Sequence, residues 1–210
     1  MHFKNAMIYT QRFRFEKGCF SVENGRFTNV MGQEQPDAID LEGAYVIPGL
    51  LDVHTHGNSG HDFCDGDYEG LVKQAAYQAS VGVTSFAPTS LTVPYEQLAA
   101  AYATARKVVD AKIEGISVIR GINMEGPFFS LAKKGAQNAD HLRQPDFEAF
   151  KKLNDDCGGL VKIVDVAPEL PGAAEFIEKV SKICTVSIAH TDTSYEDARA
   201  GIAAGATHLT

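Results

Sequence analysis

The stretch GLLDVHTHGNSG, from Gly49 to Gly60, places two histidines where an apolar strand gives way to a glycine-rich turn. Side chains alternate between the two faces of a strand, so His54 and His56 point to the same side. Two imidazoles on one face, about 7 Å apart along the strand, can converge on one divalent ion. The segment therefore predicts a metal site at the end of a strand.

The overall composition is ordinary for a globular protein with one sizeable core. The 210 residues are 44% hydrophobic and 22% charged. The formal net charge of -8 argues against nucleic acid or an acidic membrane surface as a partner, because both need a basic face. The sequence has no apolar run of about 18 residues, so no membrane span is expected. Four cysteines without a CxxC pair favour a reducing, cytoplasmic setting.

The first 47 residues predict a small β unit. Short segments rich in Val, Ile, Phe and Tyr alternate with Gly and Asn-Gly turns. The Asn-Gly pair in ENGR, from Glu23 to Arg26, is typical of a hairpin with a type I′ turn. Pro48 and Gly49 then mark a boundary between this unit and the rest of the chain.

From Leu50 onward, apolar strands alternate with amphipathic helices. The predicted strands have the sequences LLDVH, VTSFAP, SVIRGINME, VKIVDVA, TVSIAH and ATHL. The predicted helices span Tyr68–Val81, Tyr95–Asp110, Pro145–Asn154, Ala173–Ile183 and Tyr195–Ala204. Such an alternation implies parallel strands that are joined by right-handed crossovers.

Two α/β architectures fit this alternation, a doubly wound sheet and a (β/α)8 TIM barrel. No GxGxxG or GxxxxGK[ST] loop follows any strand, which weakens the case for a nucleotide-binding sheet. The residues capable of chemistry instead lie at the ends of several strands, as they do around the mouth of a barrel. We therefore predict a barrel over residues 48–210 in which only about six of the eight β/α units are present, so the chain is expected to be truncated relative to its fold.

Two further strand ends supply candidate ligands. Glu125 ends the apolar segment GINME, where a buried carboxylate is costly unless a cation or a hydrogen-bond donor compensates it. His190 ends the strand TVSIAH, shortly before a helix whose predicted cap is Ser194. Taken alone, Glu125 could be a solvated loop residue and His190 a hydrogen-bonded core histidine. Together with His54 and His56, they favour a divalent-metal site.

Four segments resemble the N-acetylglucosamine-6-phosphate deacetylases of the amidohydrolase superfamily: PGLLDVHTHG, INMEGPFFSLAKKGAQN, VAPEL and AHTDTSYEDARAGIAAGATHLT. The EGPF…KKGA part is the most specific, whereas HxH alone indicates only the superfamily. The resemblance implies a metal-dependent (β/α)8 barrel with a small β-sandwich, to which residues 1–47 would belong, and usually a homodimer. It also implies removal of acetate from N-acetylglucosamine 6-phosphate.

The resemblance assigns roles residue by residue. Glu125 and His190 match metal ligands of the family, and the HxH pair is one that only some members have, so one or two ions are implied. Ala136 and Gln137 fall where the family contacts its substrate. Many members have histidine at the second of these positions, so Gln137 is a departure.

His208 is excluded from the metal site. The family has a ligand histidine on the sixth strand, directly after a threonine. A gapless alignment from His190 puts that position after Thr210, at an odd offset from His208 and hence on the opposite face of the strand. Aligning THL at 207–209 instead is the competing register, and it needs a deletion.

Metal-assisted amide hydrolysis is the expected chemistry. Zn and Fe are the leading ions, although histidine and carboxylate ligands also suit Mn and Co. A bound ion lowers the pKa of its water from about 15.7 toward about 7, and the resulting hydroxide would attack the acetamide carbonyl. The ion and Gln137 are the candidates for stabilising the oxyanion. The family's general acid–base is an aspartate on the eighth strand, so no such residue is expected within this chain.

Two alternatives remain open. A dihydroorotase-like cyclic amidase would carry a carboxylated lysine on the fourth strand, where this sequence offers only Lys162, at the start of the strand. The other alternative is a catalytically inactive fragment of the deacetylase. The expected partner is a small amino-sugar phosphate, with no nucleic acid and no membrane.

Overall fold

The computed structural model describes residues 1–210 and shows an α/β protein with fourteen strands and five α-helices. The chain divides into two compact units, Met1–Gly49 and Leu50–Thr210. None of the helices combines the length and the apolarity that a bilayer crossing requires.

The first unit is built on a five-stranded sheet around a small apolar core of Ala6, Ile8 and Phe20. Its strands are β1 (His2–Tyr9), β2 (Phe15–Glu23), β3 (Arg26–Thr28), β4 (Ile39–Asp40) and β5 (Tyr45–Val46). β1 pairs antiparallel with β2 and parallel with β4 and β5. Asn24 and Gly25 join β2 to β3 with φ of 51° and 71°, which confirms the predicted type I′ hairpin.

The second unit contains the predicted parallel strands. They are β6 (Leu50–Thr55), the short antiparallel pair β7 (Gly57–Asn58) and β8 (His61–Asp62), then β9 (Val83–Pro88), β10 (Val118–Ile119), β11 (Ile122–Met124), β12 (Val161–Val166), β13 (Thr185–Ile188) and β14 (His208–Leu209). β9 lies between β6 and β10, while β11, β12, β13 and β14 follow one another in a second group. A parallel bridge between Thr89 and Asn123 links the two groups.

The third predicted strand is the one that differs, because it is interrupted at Arg120 and Gly121 and becomes β10 and β11. At this break the chain changes its pairing from β9 to β12. Glycine permits the change, since a Cβ on Gly121 would lie 2.3 Å from Cγ of Lys162. The interruption brings β11, and Glu125 after it, alongside β12.

Five α-helices form where five were predicted. They are α1 (Tyr68–Ser80), α2 (Tyr95–Ala111), α3 (Phe147–Asp156), α4 (Ala173–Val180) and α5 (Tyr195–Ala204). α3 begins at Phe147 rather than Pro145, because Asp146 caps it by accepting a hydrogen bond from the backbone N–H of Ala149 at 3.0 Å. Ser194 caps α5 as predicted, with its Oγ accepting from the Asp197 N–H at 3.1 Å. The helices pack on the strands around buried side chains such as Phe86, Leu98, Tyr102, Phe128 and Phe150.

Candidate metal centre

The predicted ligand residues lie at or just beyond the ends of three parallel strands. His54 lies on β6 and His56 directly follows that strand, Glu125 directly follows β11, and His190 lies just beyond β13. Because parallel strands end at the same edge of a sheet, these side chains, distant in sequence, can approach one another. The structure brings all four together.

Glu125 is the centre of the cluster. The residue is 3% exposed, and the Nε2 atoms of His54 and His56 lie 3.0 and 2.9 Å from its Oε2. The Nε2 atom of His190 lies 2.7 Å from Oε1, on the other side of the carboxylate. The ligand atoms of His54, His56 and Glu125 all lie within 4.8 Å of one another. The histidine rings are partly exposed, so the cluster is open to solvent on one side.

Backbone carbonyls fix the outer nitrogen of two of the rings. The Nδ1 of His56 lies 3.1 Å from the carbonyl oxygen of Thr89, and the Nδ1 of His190 lies 3.0 Å from that of Lys133. A carbonyl only accepts hydrogen bonds, so each Nδ1 carries its proton and donates. In the neutral ring the Nε2 then presents a lone pair, which is the tautomer that metal-binding histidines use.

The residues present fit a divalent cation. Oε2 of Glu125 is buried without a hydrogen-bond partner, although two Nε2 atoms approach it closely. Lone pairs on these nitrogens would repel a carboxylate oxygen unless a proton or a cation lay between them. A set of imidazole nitrogens and one carboxylate is a common ligand set for Zn and other transition metals. A cation held by these residues would satisfy the orphaned Oε2 together with the Nε2 atoms of His54 and His56 that face it.

The same contacts set the charge of the cluster. Burial alone would raise the pKa of Glu125, but the contacts with three imidazoles outweigh burial and hold the pKa well below its usual range. In return, the Glu125 carboxylate raises the pKa of His54 and of His56. Without a cation, the two histidines retain protons to higher pH than a free imidazole does, and a bound metal must displace those protons.

The two predicted substrate contacts are placed differently from each other. Ala136 is exposed, whereas Gln137 is buried and its side chain points toward the candidate metal ligands. Nε2 of Gln137 donates to Oε1 of Glu125 at 3.1 Å, and its Oε1 accepts from the backbone N–H of Thr92 at 2.7 Å. Gln137 therefore supports the carboxylate directly.

Asp165 also belongs to this region, although the sequence pattern predicts no role for it. It lies on β12, is fully buried, and follows Val164, whose register partner Met124 directly precedes Glu125. Its Oδ1 accepts from the hydroxyl of Thr210 at 3.1 Å, while its Oδ2 has no hydrogen-bond partner. Burial raises the pKa of Asp165 to about 7. The signal available in the sequence was one aspartate in the otherwise apolar end of VKIVDVA.

His208 lies outside the cluster formed around Glu125. It is opposite Ser187 in the register of β13 and β14, and its Nδ1 lies 3.1 Å from the hydroxyl of Ser187. That hydroxyl contacts the Thr210 hydroxyl at 2.7 Å. His208 is thus linked to Asp165 by a chain of polar contacts through Ser187 and Thr210.

Comparisons with known proteins show the family of this chain. The model of the amidohydrolase family matches residues 45–210. N-acetylglucosamine-6-phosphate deacetylase of Bacillus subtilis (strain 168) is 29% identical over 215 residues, which cover 99% of this chain and 54% of that protein. The chain thus spans about half the length of the curated relatives it matches.

Solved structures show the same similarity. The crystal structure of N-acetyl-D-glucosamine-6-phosphate deacetylase from Mycobacterium smegmatis has a TM-score of 0.89 at 27% identity and covers 100% of this chain and 55% of that chain. A mutant of the Mycobacterium smegmatis enzyme in complex with N-acetyl-D-glucosamine-6-phosphate has a TM-score of 0.84 at 29% identity and covers 93% of this chain and 50% of that chain. Since the family model covers most of the sequence, this chain belongs to the amidohydrolase family.

Proposed function

We propose that this protein is a metal-dependent amide hydrolase that converts N-acetylglucosamine 6-phosphate to acetate and glucosamine 6-phosphate. The observation that carries the proposal is the meeting of three imidazole Nε2 atoms at the buried carboxylate of Glu125, each within 3.0 Å of one of its oxygens. Similarity to deacetylases, one of which was solved with N-acetyl-D-glucosamine-6-phosphate, supports the choice of substrate.

The proposed ligands are His54, His56, Glu125 and His190, which would hold one or two divalent ions, with Zn or Fe as the leading candidates. When bound, such an ion supplies Lewis acidity, which activates water and polarises an amide carbonyl. The chain itself contributes orientation, because two backbone carbonyls keep the Nδ1 protons in place and leave the Nε2 lone pairs available.

The segment at Ala136 and Gln137 is the proposed neighbour of the sugar phosphate. Exposure of Ala136 next to the buried Gln137 supports this placement, since the backbone there passes from the metal cluster to the surface. We assign no residue of this chain the role of general acid–base, for which the resemblance expects an aspartate.

The finer architecture is also a proposal. Residues 1–47 would form part of a small β-sandwich and residues 48–210 about six of the eight units of a barrel, within a homodimeric cytoplasmic protein. The division of the chain after Gly49 and the parallel order of the strands from β6 to β14 support this arrangement.

The cyclic-amidase alternative finds less support. Lys162 is exposed near the start of β12, and its Nζ donates to the carbonyl of Gly159 at 2.6 Å. A carboxylated lysine that joins two ions would have to reach the opposite end of the strand, near Asp165 and the end of β11, which Glu125 follows. The glutamate therefore occupies the place that such a lysine would need.

The test uses the full-length protein loaded with Zn²⁺ and compares acetate release from N-acetylglucosamine 6-phosphate with turnover of dihydroorotate. Two histidine variants are matched: H54N removes a proposed ligand, and H208N removes a histidine outside the cluster. We expect acetate release in the wild type and in H208N, and its loss in H54N and after chelation. Turnover of dihydroorotate alone, or acetate release that survives chelation, would contradict the proposal.

The fragment alternative is tested with the 210-residue chain. Its zinc content and its acetate release are measured beside those of the full-length protein. Zinc binding without turnover would identify the chain as an inactive metal-binding part of the deacetylase.

A further inference from the structure

Gln137 is the one buried residue in an exposed stretch of chain. It is 5% exposed, whereas its neighbours Ala136 and Asn138 are exposed. Burying a primary amide is unfavourable unless both of its ends form hydrogen bonds. Both ends of Gln137 are paired, with the N–H of Thr92 on one side and Oε1 of Glu125 on the other.

The orientation of this amide is determined by its partners. The backbone N–H of Thr92 can only donate, so the amide oxygen of Gln137 must face it, as it does at 2.7 Å. The NH2 group then has to face Glu125, and a flipped amide would place N–H against N–H on one side and oxygen against carboxylate on the other. The backbone of Thr92 therefore commits Gln137 to donating to the carboxylate.

This hydrogen bond restricts how Glu125 can rotate. Oε1 of Glu125 is held by Nε2 of Gln137 at 3.1 Å, on the same side as Nε2 of His190. With Oε1 held, Oε2 is directed at the pair His54 and His56, and it is this oxygen that lacks a hydrogen-bond partner. A carboxylate fixed in this way loses less rotational freedom when a cation binds.

We propose that Gln137 is a positioning residue that presents Glu125 to the cation and thereby raises the affinity of the site for a divalent metal. The effect acts through Glu125 and needs no substrate. This inference rests on the proposed function only through the requirement for a metal at Glu125. It differs from the predicted role of Gln137 as a substrate contact, which would affect the Michaelis constant and leave metal affinity unchanged.

The test measures the affinity of the full-length protein for Zn²⁺ by competition with a chromophoric chelator, in the absence of substrate. Q137L removes the donor at similar volume, and Q137E keeps an acceptor for Thr92 but places a carboxylate against Glu125. We expect zinc affinity to fall about 10- to 100-fold in Q137L and further in Q137E. Q144L, at an exposed glutamine farther along the same stretch, is the matched control and should bind zinc as the wild type does.

A second readout separates positioning from a loss of structure. The visible absorption spectrum of the Co²⁺-loaded protein reports ligand geometry, and it should change in Q137L and stay unchanged in Q144L. If Q137L does not fold, Q137E carries the test, since it retains the Thr92 contact. Wild-type zinc affinity in both Gln137 variants would overturn the proposal, even if the Michaelis constant rises. Absence of deacetylase activity in the wild type would remove the proposed substrate but would leave this metal measurement valid.

Discussion

Glu125 and Asp165 are neighbouring buried carboxylates with opposite electrostatic environments. They follow Met124 and Val164, the last register pair of β11 and β12, and they are 3% and 0% exposed. Contacts with three imidazoles hold the pKa of Glu125 well below its usual range, whereas burial raises the pKa of Asp165 to about 7. Burial acts on both in the same direction, so the difference comes from the facing groups.

The comparison shows what makes one of two adjacent carboxylates suitable for a cation. Glu125 faces nitrogen atoms that can share a positive charge with it, while the Asp165 carboxylate accepts a hydrogen bond from the neutral hydroxyl of Thr210. The pKa of Glu125 is therefore lowered, whereas the pKa of about 7 leaves Asp165 partly protonated near neutrality. The two positions should respond differently to substitution, to pH and to metal.

The largest effect is expected from E125Q. The amide keeps the shape of the side chain but removes the negative charge that faces three imidazoles. Loss of a direct ligand should exceed the ~10- to 100-fold cost of losing a supporting contact, so we expect zinc affinity to fall about 1000-fold. Competition with a chelator measures it, and E114Q, at an exposed glutamate between α2 and β10, is the control. An affinity within tenfold of the wild type would remove Glu125 from the centre of the site.

The next effect concerns Asp165 and depends on pH. Its folded-state pKa of about 7 lies above the value for an unfolded chain, so the folded protein binds the extra proton and its stability falls as pH rises toward 7. D165N removes this penalty while keeping an acceptor for Thr210. We compare the free energy of unfolding of D165N with that of the wild type in the absence of metal. We expect this difference to favour D165N by on the order of 3 kcal/mol more at about pH 8 than at about pH 5.

Urea unfolding at both pH values, in the presence of a chelator, measures the free energy of unfolding of D165N and the wild type. Equal differences at the two pH values would show that Asp165 does not titrate in this range. Loading with Zn²⁺ should reduce the pH dependence, because a nearby cation favours the ionised carboxylate.

A smaller effect is expected from T210V, which at nearly constant volume removes the hydroxyl that donates to the Asp165 carboxylate and contacts the Ser187 hydroxyl. A hydrogen bond to a charged group contributes more than one to a neutral group, so T210V should destabilise the protein by about 1.5 kcal/mol at alkaline pH. At about pH 5, where Asp165 is protonated, the loss should shrink to about 0.5 kcal/mol. Urea unfolding of T210V and of the double variant D165N/T210V measures the coupling, and additive effects would contradict it.

The smallest effect is expected from H208N. His208 contacts Ser187 and lies outside the cluster around Glu125, so zinc affinity should change less than twofold. Asparagine can still donate to the Ser187 hydroxyl, and we expect a change in unfolding free energy within about 0.5 kcal/mol. Zinc titration and urea unfolding check both values. A tenfold loss of zinc affinity would move His208 into the metal site and favour the competing alignment.

The sequence predicts the strands, the helices and the convergence of four side chains, because these follow from periodicity. His54 and His56 share a face by simple alternation, and Glu125 and His190 end apolar runs. The break at Gly121 was not predicted, since it depends on how closely β12 approaches. The inward turn of Gln137 was also missed, because an irregular segment has no period from which the direction of a side chain can be inferred.

Asp165 was missed for a different reason. A lone aspartate in an apolar strand can point inward or outward, and the sequence of β12, which is apolar on both faces at its end, does not distinguish the two. Glu125 was recognised by its context at a strand end, whereas Asp165 lies within its strand. The electrostatic contrast between them requires the register of the two strands, which no single sequence reveals.

The support that Thr89 and Lys133 give to the histidines comes from their main-chain carbonyls and not from their side chains. Many amino acids can therefore replace either residue during evolution without disturbing the imidazole tautomers. An inserted or deleted residue beside them would shift the carbonyl and break the contact. Among close relatives, we therefore expect the amino acids at these two positions to vary while the lengths of the segments around them stay constant. In protein engineering, these residues can be substituted, but no residue should be inserted or deleted beside them.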